Sequence, residues 1–270
     1  MPAIDEDGFR SILRDDLGID SGSVVFAHVS VNGLHLGFPF PRILNLLLER
    51  VGPRGTLLFP CSQLRGRAAP RLSAGLMFDP AREVTQMGII PELARRHAGA
   101  VRSQHPTNSV VAIGPLAEEL TRDHHKDPYP CGSMSPYYRI VEHDGLIVGL
   151  GTSTRVLTFV HCVEDLLKAE FPVQVRESRL YEARVRWHDD KDLTVATYAH
   201  HRRTRHRDVP GFIRRHISNQ VAQDLRCCQA EFFRARARLL FERMEYLARR
   251  GVTIYRPWAY RRHPLSNLID

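Results

Sequence analysis

The sequence predicts an α/β protein: a layered α/β/α core, with a C-terminal β-hairpin and a long helix closing over a cleft. Three observations predict it. Short β-branched, apolar runs alternate with helical patterns as far as residue 170, as in a sheet covered on both faces. A period of two follows, with Tyr181, Ala183, Val185 and Trp187 interleaved by Glu182, Arg184, Arg186 and His188. A helix-like apolar pattern then runs on to Gly251. These divide the chain into an α/β core, residues 1–170, and a hairpin-and-helix portion, residues 171–270, within the same domain or as a subdomain.

Residues 23–31 (SVVFAHVSV) read as a buried strand entering a turn at Asn32-Gly33. Residues 41–51 have the apolar density of a helix packed on a sheet, stopped by Gly52-Pro53. A strand at 55–60, a helix at 87–97, a strand at 109–114 and a helix at 116–124 follow, then a strand at 144–149 and a helix at 156–170. Beyond Pro172 the alternating strand turns at 189–192 into 193–198, a hairpin of antiparallel type. Residues 217–250 read as one long helix through Val221, Leu225, Cys228, Phe232, Leu239, Met244 and Leu247, with 252–255 a last strand.

With 270 residues, 43% hydrophobic and 25% charged, the chain is of ordinary globular type, and neither repeats nor a Gly or Pro period support a fibrous or disordered reading. The longest apolar stretches, 43–48 and 146–150, fall far short of the roughly 18–20 residues a membrane-spanning helix needs. The first ten residues are acidic and resemble no signal peptide, so a cytoplasmic protein is expected. Five cysteines without a CxxC pair indicate reduced thiols rather than a disulfide framework or a zinc site. The net charge is +8, and all of the excess lies after residue 170, where 21 basic side chains face 11 acidic ones.

Thr158, His161 and Glu164 recur every third residue within the predicted helix, so they share one face. An imidazole beside a carboxylate is what a general base needs: the carboxylate fixes the tautomer and stabilises the imidazolium that forms. The remainder of that helix is apolar, which turns the polar stripe toward a cleft rather than bulk water. His28 ends the first strand, where α/β folds open their crevices, and His105 stands in the polar loop 102–109. No HExxH, HxH or cysteine cluster accompanies these histidines, and no metal is expected.

Taken together, several motifs resemble the aminoglycoside 3-N-acetyltransferase family. They are His28-Val29-Ser30, Gly55-Thr56-Leu57 with Pro60, Phe78-Asp79-Pro80, Met87-Gly88-Ile89-Ile90-Pro91-Glu92, Arg102-Ser103 with His105-Pro106 and Ser109, Gly132 with Ser135-Pro136, and Thr158-Phe159-Val160-His161-Cys162-Val163-Glu164. The resemblance implies an α/β enzyme that moves an acetyl group from acetyl-CoA to an amine of a small molecule such as an aminoglycoside, directly and without metal. His161 then resembles the general base, with Glu164 orienting it, and His28 the second active-site histidine. Ser30 and Val31 would lie near the thioester, while Ser62, His105, Ser109 and Ser135 are candidates for the pantetheine channel. Asp79, Glu83 and Thr158 are candidates for the acceptor, the acids because an aminoglycoside is a polycation.

The sequence departs from the family where Val29 and Val31 flank Ser30, in place of an HSSL-like run followed by paired glycines. That leaves an acyl-carrier arm or a larger acyl group open as donor; Arg10, Arg42 and Arg65 are candidate contacts for donor phosphates. The stretch 200–208, with Arg214 and Arg215 beyond it, is rich in Arg and His, and if it faces the cleft it favours an amine bearing phosphate or carboxylate. A further alternative is a nucleic-acid-binding protein acting through residues 202–215, although no reading motif accompanies them. A homodimer is compatible with a chain of this size.

Overall fold

The computed structural model describes residues 3–64, 66–186 and 192–255. Helix Glu6–Ser11 (α1), capped by the Asp5 carboxylate accepting from Gly8 N, precedes strand Val24–Val29 (β1), helix Arg42–Val51 (α2) and strand Thr56–Pro60 (β2). Ala69–Ser73 (α3), Met77–Phe78 (β3), Ile89–Arg95 (α4), Ala100–Arg102 (β4), Val110–Ile113 (β5) and Ala117–Thr121 (α5) come next. Then come Pro136–Glu142 (α6), Leu146–Leu150 (β6) and His161–Leu167 (α7). The last third holds Arg176–Arg186 (β7), Asp192–His200 (β8), Val209–His216 (α8), Ala222–Cys227 (β9), Ala230–Arg236 (β10) and Ala237–Ala248 (α9).

Seven strands form one mixed sheet in the order β4-β5-β2-β1-β6-β10-β9. Its centre, β2-β1-β6, is parallel, and antiparallel strands extend it on both sides. Successive residues of β1 feed opposite faces. Phe26 packs with Tyr137, Phe159, Phe212 and Phe241 under α6 to α9, whereas Val25 and Ala27 join Phe9, Ile43, Leu47 and Ile90 under α1, α2 and α4. Burial on both faces is why these strands read as continuous apolar runs. Each fully buried Phe or Leu contributes roughly 1.5–3 kcal/mol relative to exposure. The layered α/β/α core is therefore as expected, and none of the described helices is long and apolar enough to cross a membrane.

Two expectations are corrected. Residues 217–250 are not one helix: β9 and β10 form a hairpin that completes the main sheet, β10 pairing with β6, and only Ala237–Ala248 is helical. The hairpin turns on Cys228 and Gln229, both with positive φ (49° and 68°), where glycine or asparagine is usual. Gly149, across from Phe233, leaves room for that ring, since a Cβ there would sit 2.1 Å from it. The second correction concerns 252–255, which contribute a single bridge, Arg207 to Tyr255, rather than a strand. The predicted hairpin of 181–198 is present as β7 and β8, which join β3 in a second sheet. Trp187 and the expected turn residues 189–191 lie outside the described residues, as does Arg65.

The parallel strands all end on one side, and so do the loops that follow Val29, Pro60 and Leu150. This is the edge where open α/β sheets form crevices. The β7–β8 hairpin brings His200 to the same edge, its ring centroid 4.3 Å from that of His161.

Candidate active site

His161 is not in the middle of a long helix. The chain from 154 to 160 turns in two short 3-10 segments, and His161 opens α7. Its side chain and that of Glu164 therefore sit one turn apart at the start of a helix, 3% and 4% exposed. His161 Nδ1 and Glu164 Oε2 are 2.6 Å apart, and Glu164 Oε1 accepts from the Tyr255 hydroxyl at 2.8 Å. On the other side of the ring, Arg207 NH1 donates to Nε2 at 2.9 Å. A guanidinium only donates, so Nε2 carries the lone pair and Nδ1 carries the hydrogen, which it gives to Glu164. The hydrogen-bond network thus selects the tautomer a base at Nε2 requires.

Burial lowers the His161 pKa well below its ordinary value, and Arg207 and Arg176 push it the same way, so the ring is neutral. Burial raises Glu164 to about 7, against the lowering effect of Tyr255 and of the two arginines. His161, Glu164 and His200 place ligand-type atoms within 4.8 Å of one another. The guanidinium on Nε2 opposes a cation there, and both Glu164 oxygens are already engaged. The chemistry of this donor set is that of a base and its support rather than of a metal centre.

Two cavities meet at this point. One, of about 480 Å³, is lined by His161, His200, Ser62, Tyr137, Thr158 and Arg207 among others. The second, of about 800 Å³, is lined by His28, Val29, Ser30, Val31, Met87 and Ile89 among others. Pro60, Met87, Thr158 and Arg207 belong to both walls, so the two spaces adjoin. Burial depresses the His28 pKa to about 4, and its Nε2 is buried without a hydrogen-bond partner. The Ser30–Gly33 turn is pressed against Gly151, since a Cβ on Gly33 would lie 2.0 Å from the Gly151 carbonyl oxygen.

The structure thus brings together His161, backed by Glu164, with Thr158 and Ser62 at one cavity, and His28, Ser30 and Val31 at its neighbour. Thr158 reaches the wall from a 3-10 turn, not from the helical face expected of it. The other site candidates have different places. Ser135 caps α6 by accepting from Tyr138 N, and Ser109 donates to the Cys61 carbonyl at 2.7 Å. His105 is fully buried, stacked on His124 with centroids 4.7 Å apart. None of these three lines either cavity. Their loop acts as a brace, with Arg102 donating to the carbonyls of Pro80, Glu83 and Cys61, and it delivers Thr107 and Asn108 to the cavity instead.

Asp79 accepts from the backbone of Ala81 and Arg82 in a turn, and neither it nor Glu83 lines either cavity. Arg10 and Arg42 are engaged with Glu6 and Glu49. Sequence reasoning missed Tyr255 as part of the site and did not single out Arg207. The stretch 200–208 was the only signal for the latter, and His200, His201, Arg202, Thr204 and Arg207 do face the cavity. Arg215 instead pairs with Asp208 at 3.3 Å and lines neither cavity.

Residues 27–248 match the sequence profile of a family described as aminoglycoside 3-N-acetyltransferase. The chain is 32% identical over 165 residues to aminoglycoside N(3)-acetyltransferase IX of Micromonospora chalcea, covering 56% of this chain and 58% of that protein. It is 33% identical over 198 residues to aminoglycoside N(3)-acetyltransferase VII of Streptomyces paromomycinus, covering 64% and 66%. The matched segments thus span less than two thirds of these relatives' length. In three dimensions it superposes on AAC-IIIb, solved as a binary complex with CoASH, with a TM-score of 0.72 at 21% identity, over 93% of this chain and 98% of that one.

Proposed function

The chain belongs to the aminoglycoside 3-N-acetyltransferase family, and from that premise we propose that it transfers an acetyl group from acetyl-CoA directly to a primary amine of a small molecule such as an aminoglycoside, with His161 as general base. The observation that carries this reading is the His161–Glu164 pair at 2.6 Å on the wall of the smaller cavity, with Nε2 against Arg207, which lines both cavities. The larger cavity takes the donor. Val29, Val31, Met87, Ile89 and Val156 offer an apolar wall to the pantetheine arm, and the unpartnered His28 Nε2 offers a polar contact. The smaller cavity takes the acceptor.

A thioester carbonyl is already electrophilic and a neutral amine is a good nucleophile, so the protein has to position the two and remove a proton. As the nitrogen–carbon bond forms, His161 Nε2 takes the amine proton and the carbon–sulfur bond breaks. The imidazolium then returns the proton to the departing thiolate. Glu164 stabilises the imidazolium through Nδ1, which requires its carboxylate form. Family membership supports CoA as the donor. A coupled measurement tests the reading: acetyl-CoA raises the melting temperature by ligand linkage, and thiol release appears only when an amine is added. Thiol release independent of amine would refute direct transfer.

The pair also makes a prediction about pH. Since burial sets Glu164 at about 7, kcat/KM falls as the pH drops below that value and the carboxylate takes a proton. Tyr255 favours the carboxylate by donating to it. Tyr255→Phe removes that donor, so the acid limb moves upward, by about 0.5–1 pH unit if the hydrogen bond has ordinary net strength. A kcat/KM profile with an unmoved acid limb would separate Glu164 from catalysis.

A further inference from the structure

The cavity that holds His161 has an unusual electrical lining for a polycation. Its described lining residues include three arginines and three histidines, Arg67, Arg202, Arg207, His161, His200 and His201, and no Asp or Glu. The described lining residues of the adjoining cavity include no carboxylate either. Glu164 lies behind His161, with both oxygens occupied. Arg67 has Glu177 at 3.8 Å, but Arg202 and Arg207 make no ion pair among the described residues. Arg207 spends its guanidinium on a neutral imidazole, at the nitrogen that has to receive the proton. The base is thus covered by an arginine that makes no ion pair among the described residues.

These two facts explain each other. We propose that the acceptor is an amine that also carries a carboxylate or phosphate, that this anion docks on Arg207 and Arg202, and that in docking it draws Arg207 off His161 Nε2. The inference rests on the N-acyltransfer reading above and narrows its acceptor. A guanidinium binds an oxyanion through two parallel charge-assisted hydrogen bonds, which are stronger than its single bond to a neutral ring. The exchange therefore favours the anion over the ring, and it uncovers the base when such an acceptor is present. A polycationic acceptor offers Arg207 no such partner and meets its charge at close range.

Four amines at saturating acetyl-CoA test this: O-phosphoethanolamine, γ-aminobutyrate, n-butylamine and kanamycin, with thiol release as the readout. The two anionic amines are expected to exceed n-butylamine in kcat/KM by roughly 10- to 100-fold, the range for hydrogen bonds to a charged group. Which of the two is faster distinguishes phosphate from carboxylate. In Arg207→Gln that ratio collapses toward one, and Arg207→Lys, which keeps the charge without the fork, restores part of it. An unchanged melting temperature shows that each variant is folded. Calorimetry with inorganic phosphate on the acetyl-CoA complex gives a readout without turnover: binding is expected, and Arg207→Gln weakens it. Kanamycin outpacing both anionic amines, a ratio that survives Arg207→Gln, or no phosphate binding overturns the proposal while leaving amine acetylation standing. No thiol release with any amine, together with no stabilisation by acetyl-CoA, removes the parent reading and this one with it.

Discussion

His161→Ala is expected to lower kcat by about 10²- to 10⁴-fold, the range for loss of a positioned general base, while acetyl-CoA still raises the melting temperature as it does for the unaltered protein. The reasoning runs through the hydrogen-bond directions. Arg207 can only donate to Nε2, so the lone pair faces Arg207, a residue of both cavity walls, and Glu164 holds the opposite nitrogen at 2.6 Å. No neighbour can substitute. His200 is close, with ring centroids 4.3 Å apart, but its Nδ1 is buried without a partner, and among the described residues no carboxylate hydrogen-bonds to the ring. His28 lines the other cavity. His161→Gln keeps a hydrogen-bonding side chain of similar length without a base, so it should lose as much kcat as alanine with less disturbance of Glu164. A steady-state comparison decides the matter, since a kcat within a few-fold of the original in either variant would remove His161 from the proton path.

How much of this was legible depends on the distance over which each interaction acts. The parallel strands announce themselves because β1, β2 and β6 are buried on both faces, and β7 because it alternates. His161 and Glu164 are three residues apart, so local spacing alone brings them together. The β9–β10 hairpin was hidden for two reasons. Its turn uses Cys228 and Gln229, which carry no turn signal, and Phe232 and Phe233 are buried in different cores on opposite faces, so two adjacent apolar residues imitate a helix. Tyr255 and Arg207 reach the site from 91 and 46 residues away. Contacts of that span leave no periodic trace. The loop at 102–109 shows the reverse case: its motif is conspicuous in the sequence, yet its histidine and Ser109 work as buried braces.

The buried histidines, at the site and away from it, also set how the fold responds to acid. Burial depresses five of them, His28 to about 4, His124 to about 3, and His105, His161 and His200 well below the ordinary value of 6.5. For a group whose folded-state pKa lies below its unfolded value, the unfolded chain binds more protons as the pH falls between the two, so stability is lost on acidification. Three carboxyl groups act in the opposite sense, because burial raises Glu164 to about 7 and lifts Asp127 and Asp165 as well. Each of these takes at most one proton in the folded state. The depressed imidazoles outnumber the raised carboxyls, so unfolding takes up protons on balance below the ordinary histidine value of 6.5, and stability falls from there toward about 4, where His28 takes its own proton. Chemical denaturation at pH 7.5, 6, 5 and 4.5 measures the slope directly. His124→Gln, remote from both cavities, should reduce that slope by about one proton's worth, and a stability that stayed level from pH 7.5 to 4.5 would mean that these rings do not enter the folded state neutral.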